Sequence, residues 1–231
     1  MPTFSGIVVA SGGAPADNRR TLLEVVDELA RPVDASDSTV RALAGDAFRA
    51  AVRTLNRRGL WPWEILDEDV AITANERFST VTSAIKKPLT MHYLTAVGGV
   101  REGRLSYMPY DHFIETSNQS VPGEAYIYTI PNLFETGQIL WFPTPSSADN
   151  ARFTYYRVTP APRAETETVE VPDYALETYM AYARFELSKR LPAFAAMLPY
   201  VNARDDARAA FKELSAHVNT PGDTSRDLMG Y

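Results

Sequence analysis

STVRALAGDAFRAAVRTLNRRGLWPW, residues 38–63, holds one hydrophobic period to its end and then hands over to another. Val40, Leu43, Ala44, Ala47, Phe48, Ala51 and Leu55 recur at three- and four-residue spacing, the pattern of an amphipathic helix. Ser36, Asp37 or Ser38 can cap its start, and Gly59 is placed to terminate it soon after about Asn56. Leu60, Trp61, Pro62 and Trp63 then read as a structural corner, because the proline fixes the backbone while the indoles cover apolar area where helices meet sheet. From about Val70 to Val158 the chain changes to short runs rich in Val, Ile, Thr, Tyr and Phe, punctuated by Pro and Gly.

Working outward, residues 1–17 are small, Gly-rich and Pro-punctuated, which makes them an arm. Leu22, Val25, Val26 and Leu29 predict a first helix starting near Asp17 or Asn18 and ending before Pro32. The short turn to the next helix predicts antiparallel packing. On the far side of the strand-rich region, residues 159–172 read as an extended return linker. Pro172 and Asp173 start a helix through about Arg190, with Leu176, Met180, Ala183 and Leu187 on one stripe. Tyr174, Tyr179 and Tyr182 add aromatic bulk suited to the core or to a subunit contact. Beyond Pro192 and Pro199, a last helix is predicted over 203–216, capped by Asn202.

Within the β region the patterns predict strands over about 70–82, 89–95, 105–113, 125–130, 138–142 and 151–158. Gly98, Gly99 and Gly103 suggest a hairpin tip, and Pro143 and Pro145 with Ser146, Ser147, Asp149 and Asn150 mark a turn. The expected fold is therefore α+β. Residues 18–66 and 172–218 form an antiparallel helical bundle, and residues 67–171 form an inserted antiparallel β domain, a barrel or a sandwich. The extended termini are the arm at 1–17 and a tail at 219–231.

The 231 residues have ordinary globular composition, 45% hydrophobic and 23% charged. The formal net charge of -6 offers a phosphate backbone no overall attraction, which argues against a free nucleic-acid binder. With no cysteine, a disulfide scaffold, a thiol nucleophile and a cysteine-bound metal are excluded. No apolar run approaches the roughly 20 residues that span a bilayer, so a soluble protein made in the cytoplasm is expected, with no membrane partner. His92, His112 and His217 have no spacing that would put two on one metal. Asp111 beside His112 falls in a predicted strand, where neighbours face opposite ways and cannot orient each other. The Gly-rich segments lack the Lys-Ser or Lys-Thr of a phosphate loop, and no G-x-S-x-G occurs. No catalytic, cofactor-binding or metal site is predicted, and the chain is read as a non-enzyme.

What the sequence does offer is contact surface. Arg53, Arg57 and Arg58 fall in the last turns of the second helix, where they complement the helix dipole or else face a partner subunit's carboxylates. Asn219 to Tyr231 is polar and ends in Asp227, Leu228, Met229, Gly230 and Tyr231, the composition of a docking peptide and equally of a disordered end.

A capped helix pair, the Trp61-Pro62-Trp63 corner, a β insert and Pro172-Asp173 opening a Tyr- and Leu-rich helix together resemble the head-to-tail adaptor proteins of tailed bacteriophages, most closely those of short-tailed phages. The resemblance covers about residues 19–216. It implies a structural virion protein at the neck between head and tail, a ring of twelve copies beneath the portal through which DNA passes without sequence-specific binding. It implies as partners the portal protein, a tail nozzle or tail tube protein, a tail fibre, and other copies of itself. Asp227, Leu228, Met229 and Tyr231 become candidate portal-docking residues, and Arg53, Arg57, Arg58, Tyr179 and Tyr182 candidate inter-subunit residues. The larger insert and the Gly-rich arm depart from a minimal adaptor. Two other classes are open: a carbohydrate- or receptor-binding module, which would expose Trp61, Trp63 and Trp141 on one surface, and a cell-wall polysaccharide hydrolase using unlinked carboxylates.

Overall fold

The computed structural model describes residues 20–94, 100–117 and 122–218. Its first helix, α1 (Leu22–Ala30), is started by a capping box: Thr21 Oγ1 accepts from the Glu24 amide at 3.3 Å, and the Glu24 carboxylate accepts from the Thr21 amide at 2.8 Å. The predicted start at Asp17 or Asn18 lies outside the described residues, and the Thr21-x-x-Glu24 pattern is the usable signal. Helix α2 (Ser38–Arg58) is capped by Asp37, which accepts from the amides of Thr39 and Val40.

A 3-10 turn at Pro62–Glu64 leads into the strand-rich region. There follow β1 (Ile65–Ile72), β2 (Phe78–Thr80), β3 (Ile85–Leu94), β4 (Val100–Arg104), β5 (Ser106–Tyr107), α3 (Tyr110–Thr116), β6 (Pro122–Gly123), β7 (Ile127–Thr129), β8 (Gln138–Phe142), β9 (Thr144–Pro145) and β10 (Asp149–Arg157). One sheet has the order β1-β10-β3-β4 and is antiparallel throughout, with Ile65 opposite Tyr156 and Ile72 opposite Asp149. A second has the order β2-β8-β7-β5, and β6 with β9 makes a small two-stranded third. Both larger sheets are open, so the barrel offered by the sequence is not formed. Strictly antiparallel pairing also fails in two short places, since β5 pairs with β7 and β6 with β9 in parallel.

Two strand predictions need correction. The run over 70–82 is broken into β1 and β2 by a turn in which Asn75 has φ of 63°, a left-handed conformation that asparagine tolerates. The run over 105–113 keeps only β5 as strand; Pro109, which has no amide hydrogen for a ladder, precedes α3, and its carbonyl accepts from the Phe113 amide at 2.9 Å. Asp111 and His112 are therefore helical neighbours.

The β unit, Glu64–Val158, has one core drawn from both sheets: Val70, Ile85, Met91, Phe153 and Tyr155 from the first, Tyr128, Ile139 and Trp141 from the second. A polar thread crosses it, with Trp141 Nε1 donating to Ser79 Oγ at 3.0 Å and Ser79 donating to the Ala71 carbonyl at 2.6 Å. Lys86 and Glu64 form a buried ion pair at 2.6 Å.

Residues 20–63 and 159–218 form the second unit. Its later helices are α4 (Asp173–Arg190), α5 (Pro192–Met197) and α6 (Tyr200–Val218). Helix α4 contacts α1, α2, α5 and α6, and it is apolar on most of its circumference for that reason. Helix α6 starts immediately after Pro199, whose carbonyl accepts from the Ala203 amide, so the predicted cap Asn202 is already inside the helix. Residues 159–172 carry no helix, yet they are not loose. The Glu167 and Glu165 carbonyls accept from the first-turn amides of Leu22 and Leu23, each at 2.9 Å, Arg49 donates to the carbonyls of Pro162 and Arg163, and Val169 and Val171 are buried.

Candidate interaction surfaces

Three features of the helical unit bear on contact, and the first two answer to residues picked out in the sequence. The first is the corner. Trp61 and Trp63 stack with ring centres 5.2 Å apart and planes within 5° of parallel, and Trp61 Nε1 donates to the Leu55 carbonyl at 3.3 Å. Both indoles are buried, as is Trp141 in the β unit, so none of the three belongs to an exposed binding platform. Trp63 in turn meets the ring of Tyr174 edge-on at 5.7 Å, while Tyr174 itself stays 54% exposed. Pro62 opens the 3-10 turn between the two indoles.

The second feature is the arginine group at the end of α2, which the structure divides. Arg58 Nη1 donates to the Tyr182 hydroxyl at 2.5 Å, and its guanidinium lies 5.1 Å from the Tyr182 ring centre and 5.9 Å from that of Phe211. It is engaged within its own chain. Arg53 and Arg57, one helical turn apart on the outer face of α2, are exposed, and neither forms an ion pair with any described residue. Tyr179 is fully buried and Tyr182 nearly so, among α2, α4 and α6 side chains, so the chain's own core covers them both. Burial raises the Tyr182 pKa above its usual value, partly offset by Arg58 and Arg208.

The third feature is one that sequence reading did not mark: a groove of about 320 Å³ between α4 and α6. Leu214, Ala210 and Thr178 line it together with Tyr174, His217, Glu177 and Glu213. Tyr174 and His217 lie 5.3 Å apart at one end. Glu177 holds Arg184 at 2.6 Å, whereas the exposed Glu213 pairs with no described cation. The i, i+3 and i+4 spacing of Ala210, Glu213, Leu214 and His217 was legible, but the partner helix α4 was not, so the groove could not be drawn from sequence.

The remaining sequence candidates are dispersed. His92 is on β3 and exposed His112 is on α3, 4.0 Å from Glu115. Among the described residues no group of three His, Asp or Glu side chains is arranged to hold a metal, and no helix is long and apolar enough to cross a membrane. Asp227, Leu228, Met229 and Tyr231 lie outside the described residues.

A family model described as SU10 adaptor protein matches residues 20–225 of the chain. That span includes every described element and stops short of Asp227. No curated protein matches the chain.

Proposed function

The chain belongs to the SU10 adaptor protein family, a family of structural phage adaptor proteins, and from that premise we propose that it is the head-to-tail adaptor of a tailed phage of the short-tailed type. In this reading twelve copies close a ring at the neck of the virion, joined above to the portal protein and below to a tail nozzle or tail tube protein, with DNA passing through without sequence-specific binding. The helical unit, residues 20–63 and 159–218, forms the ring wall, the β insert faces outward or toward the tail and a tail fibre, and residues 219–231 reach the portal through Asp227, Leu228, Met229 and Tyr231.

The observation that supports this most is the family match taken with the state of Arg53 and Arg57. Two exposed guanidinium groups on one helix face, with no carboxylate partner among the described residues, suit an interface completed by another subunit. The net charge of -6 suits a channel that DNA crosses rather than binds.

The experiment mixes purified protein with portal and compares the full chain with one lacking residues 219–231. The full chain is expected to co-sediment with portal as an annulus, and the truncated chain to stay unbound. Equal binding by both would refute the docking tail.

A further inference from the structure

A closed ring is built from heterologous contacts, so each copy needs two different patches that fit each other. The helical unit carries two of opposite charge. On α2, Arg53 and Arg57 project from one face with no described anionic partner. Between α4 and α6 lies the groove with Glu177 and Glu213 at its rim, Leu214 and Ala210 among its lining, and the half-exposed ring of Tyr174, backed by Trp63, at one end.

We propose that this groove is the receptor for Arg53 and Arg57 of the adjacent copy. The inference rests on the ring reading above and assigns its two complementary faces. An arginine suits each part of the groove: the aliphatic stem lies over Leu214 and Ala210, the planar guanidinium bridges Glu177 and Glu213, and the Tyr174 face takes the cation from the side. Lysine would gain less, because a point charge cannot engage two carboxylates in a fork or stack on a ring. Arg184 already neutralises part of Glu177, so Glu213 is the stronger acceptor.

The corner gains a function from this arrangement. Trp61 holds Trp63, and Trp63 sets the ring of Tyr174 that walls the groove. Trp61 and Trp63 are then positioning residues for a surface they do not reach.

The chain has no cysteine, so single cysteines report contacts without background. R53C and E213C chains, mixed in equal amounts with portal and oxidised, are expected to give mixed covalent dimers well above the homodimers that either yields alone. Attachment to portal of a photo-reactive benzophenone placed on E213C, with no attachment to the adjacent copy, would make portal the occupant and overturn the proposal, as would the absence of mixed dimers. In parallel, the R53E/R57E chain is expected to lose about tenfold or more in self-association, and adding E177R/E213R to restore it. Both charge reversals sit on exposed positions, and circular dichroism checks that each variant folds. An annulus formed by the wild-type chain but equally by R53E/R57E sinks the pairing and leaves the ring. Mixed dimers without any annulus leave the pairing and sink the ring.

Discussion

Gly59 backs directly onto the indole of Trp61: a β-carbon at Gly59 would lie 2.9 Å from Cζ2 and 3.1 Å from Cε2 of that ring. Gly59 has φ of -157°, an extended conformation open to any residue, so space and not backbone freedom selects glycine. Trp61 cannot easily yield, since Trp63 stacks on it and Leu55 accepts from its Nε1. Gly59→Ala is therefore expected to destabilise the helical unit by about 1–3 kcal/mol. Gly45→Ala is the control, because its β-carbon meets the tip of the flexible Arg49 side chain at 3.3 Å and Val26 Cγ2 at an ordinary contact distance of 3.6 Å. Urea unfolding should show a lower midpoint for the first and an equal or higher one for the second.

Lys86 and Glu64 are almost completely buried as a pair. Desolvation lowers the Lys86 pKa, and the Glu64 charge and hydrogen bond pull it back up. Lys86→Met removes the buried cation that faces the Glu64 carboxylate and is expected to cost about 3–5 kcal/mol, while the double variant Glu64→Leu, Lys86→Met recovers most of that loss. Denaturant titration of the two single variants and the double variant measures the coupling directly.

Burial raises the pKa of Tyr107, Tyr128, Tyr155, Tyr174 and Tyr182. A raised tyrosine pKa means that the folded state keeps a proton the unfolded state loses. The associated stability is complete below the ordinary value of 10.0 and declines as pH rises beyond it. Lys86, lowered from 10.5, acts in the opposite sense, with stability rising between its folded value and 10.5. Tyr128→Phe isolates one tyrosine: its stability should fall less steeply above pH 10 than that of the wild type, by up to about 1.4 kcal/mol per pH unit. Unfolding curves across the alkaline range test this, and identical slopes would refute it.

Phe134 has φ of 69° while 45% exposed, an unusual place for a bulky side chain. Its amide donates to the Ile85 carbonyl at 2.7 Å, which holds the turn in that conformation. Phe134→Asn should raise the melting temperature of the β unit, by about 0.5–1 kcal/mol of stability, because asparagine tolerates the left-handed region. Calorimetry on the purified variant decides it.

Much of this architecture is legible in the sequence, because period and punctuation are local. The α2 stripe, a cap among Ser36, Asp37 and Ser38, the start of α4 at Pro172-Asp173 and the strand at 138–142 all follow from spacing and end signals. Features set by distant partners are not. The carbonyls of Glu165 and Glu167 complete the first turn of α1 from more than 140 residues away, so their segment reads as a linker. Arg57 and Arg58 are adjacent and chemically identical in sequence, and only the packing of Tyr182 and Phe211 separates an engaged arginine from an exposed one. The groove likewise needs α4 and α6 side by side before its acids form a set.

The most direct test of the central claim is electron microscopy of the full chain incubated with purified portal, with the mass of the product determined in parallel. Many copies in an annulus coaxial with the portal are expected, and the R53E/R57E chain should give none. A full chain that remains a lone particle beside the portal under every condition would contradict the account.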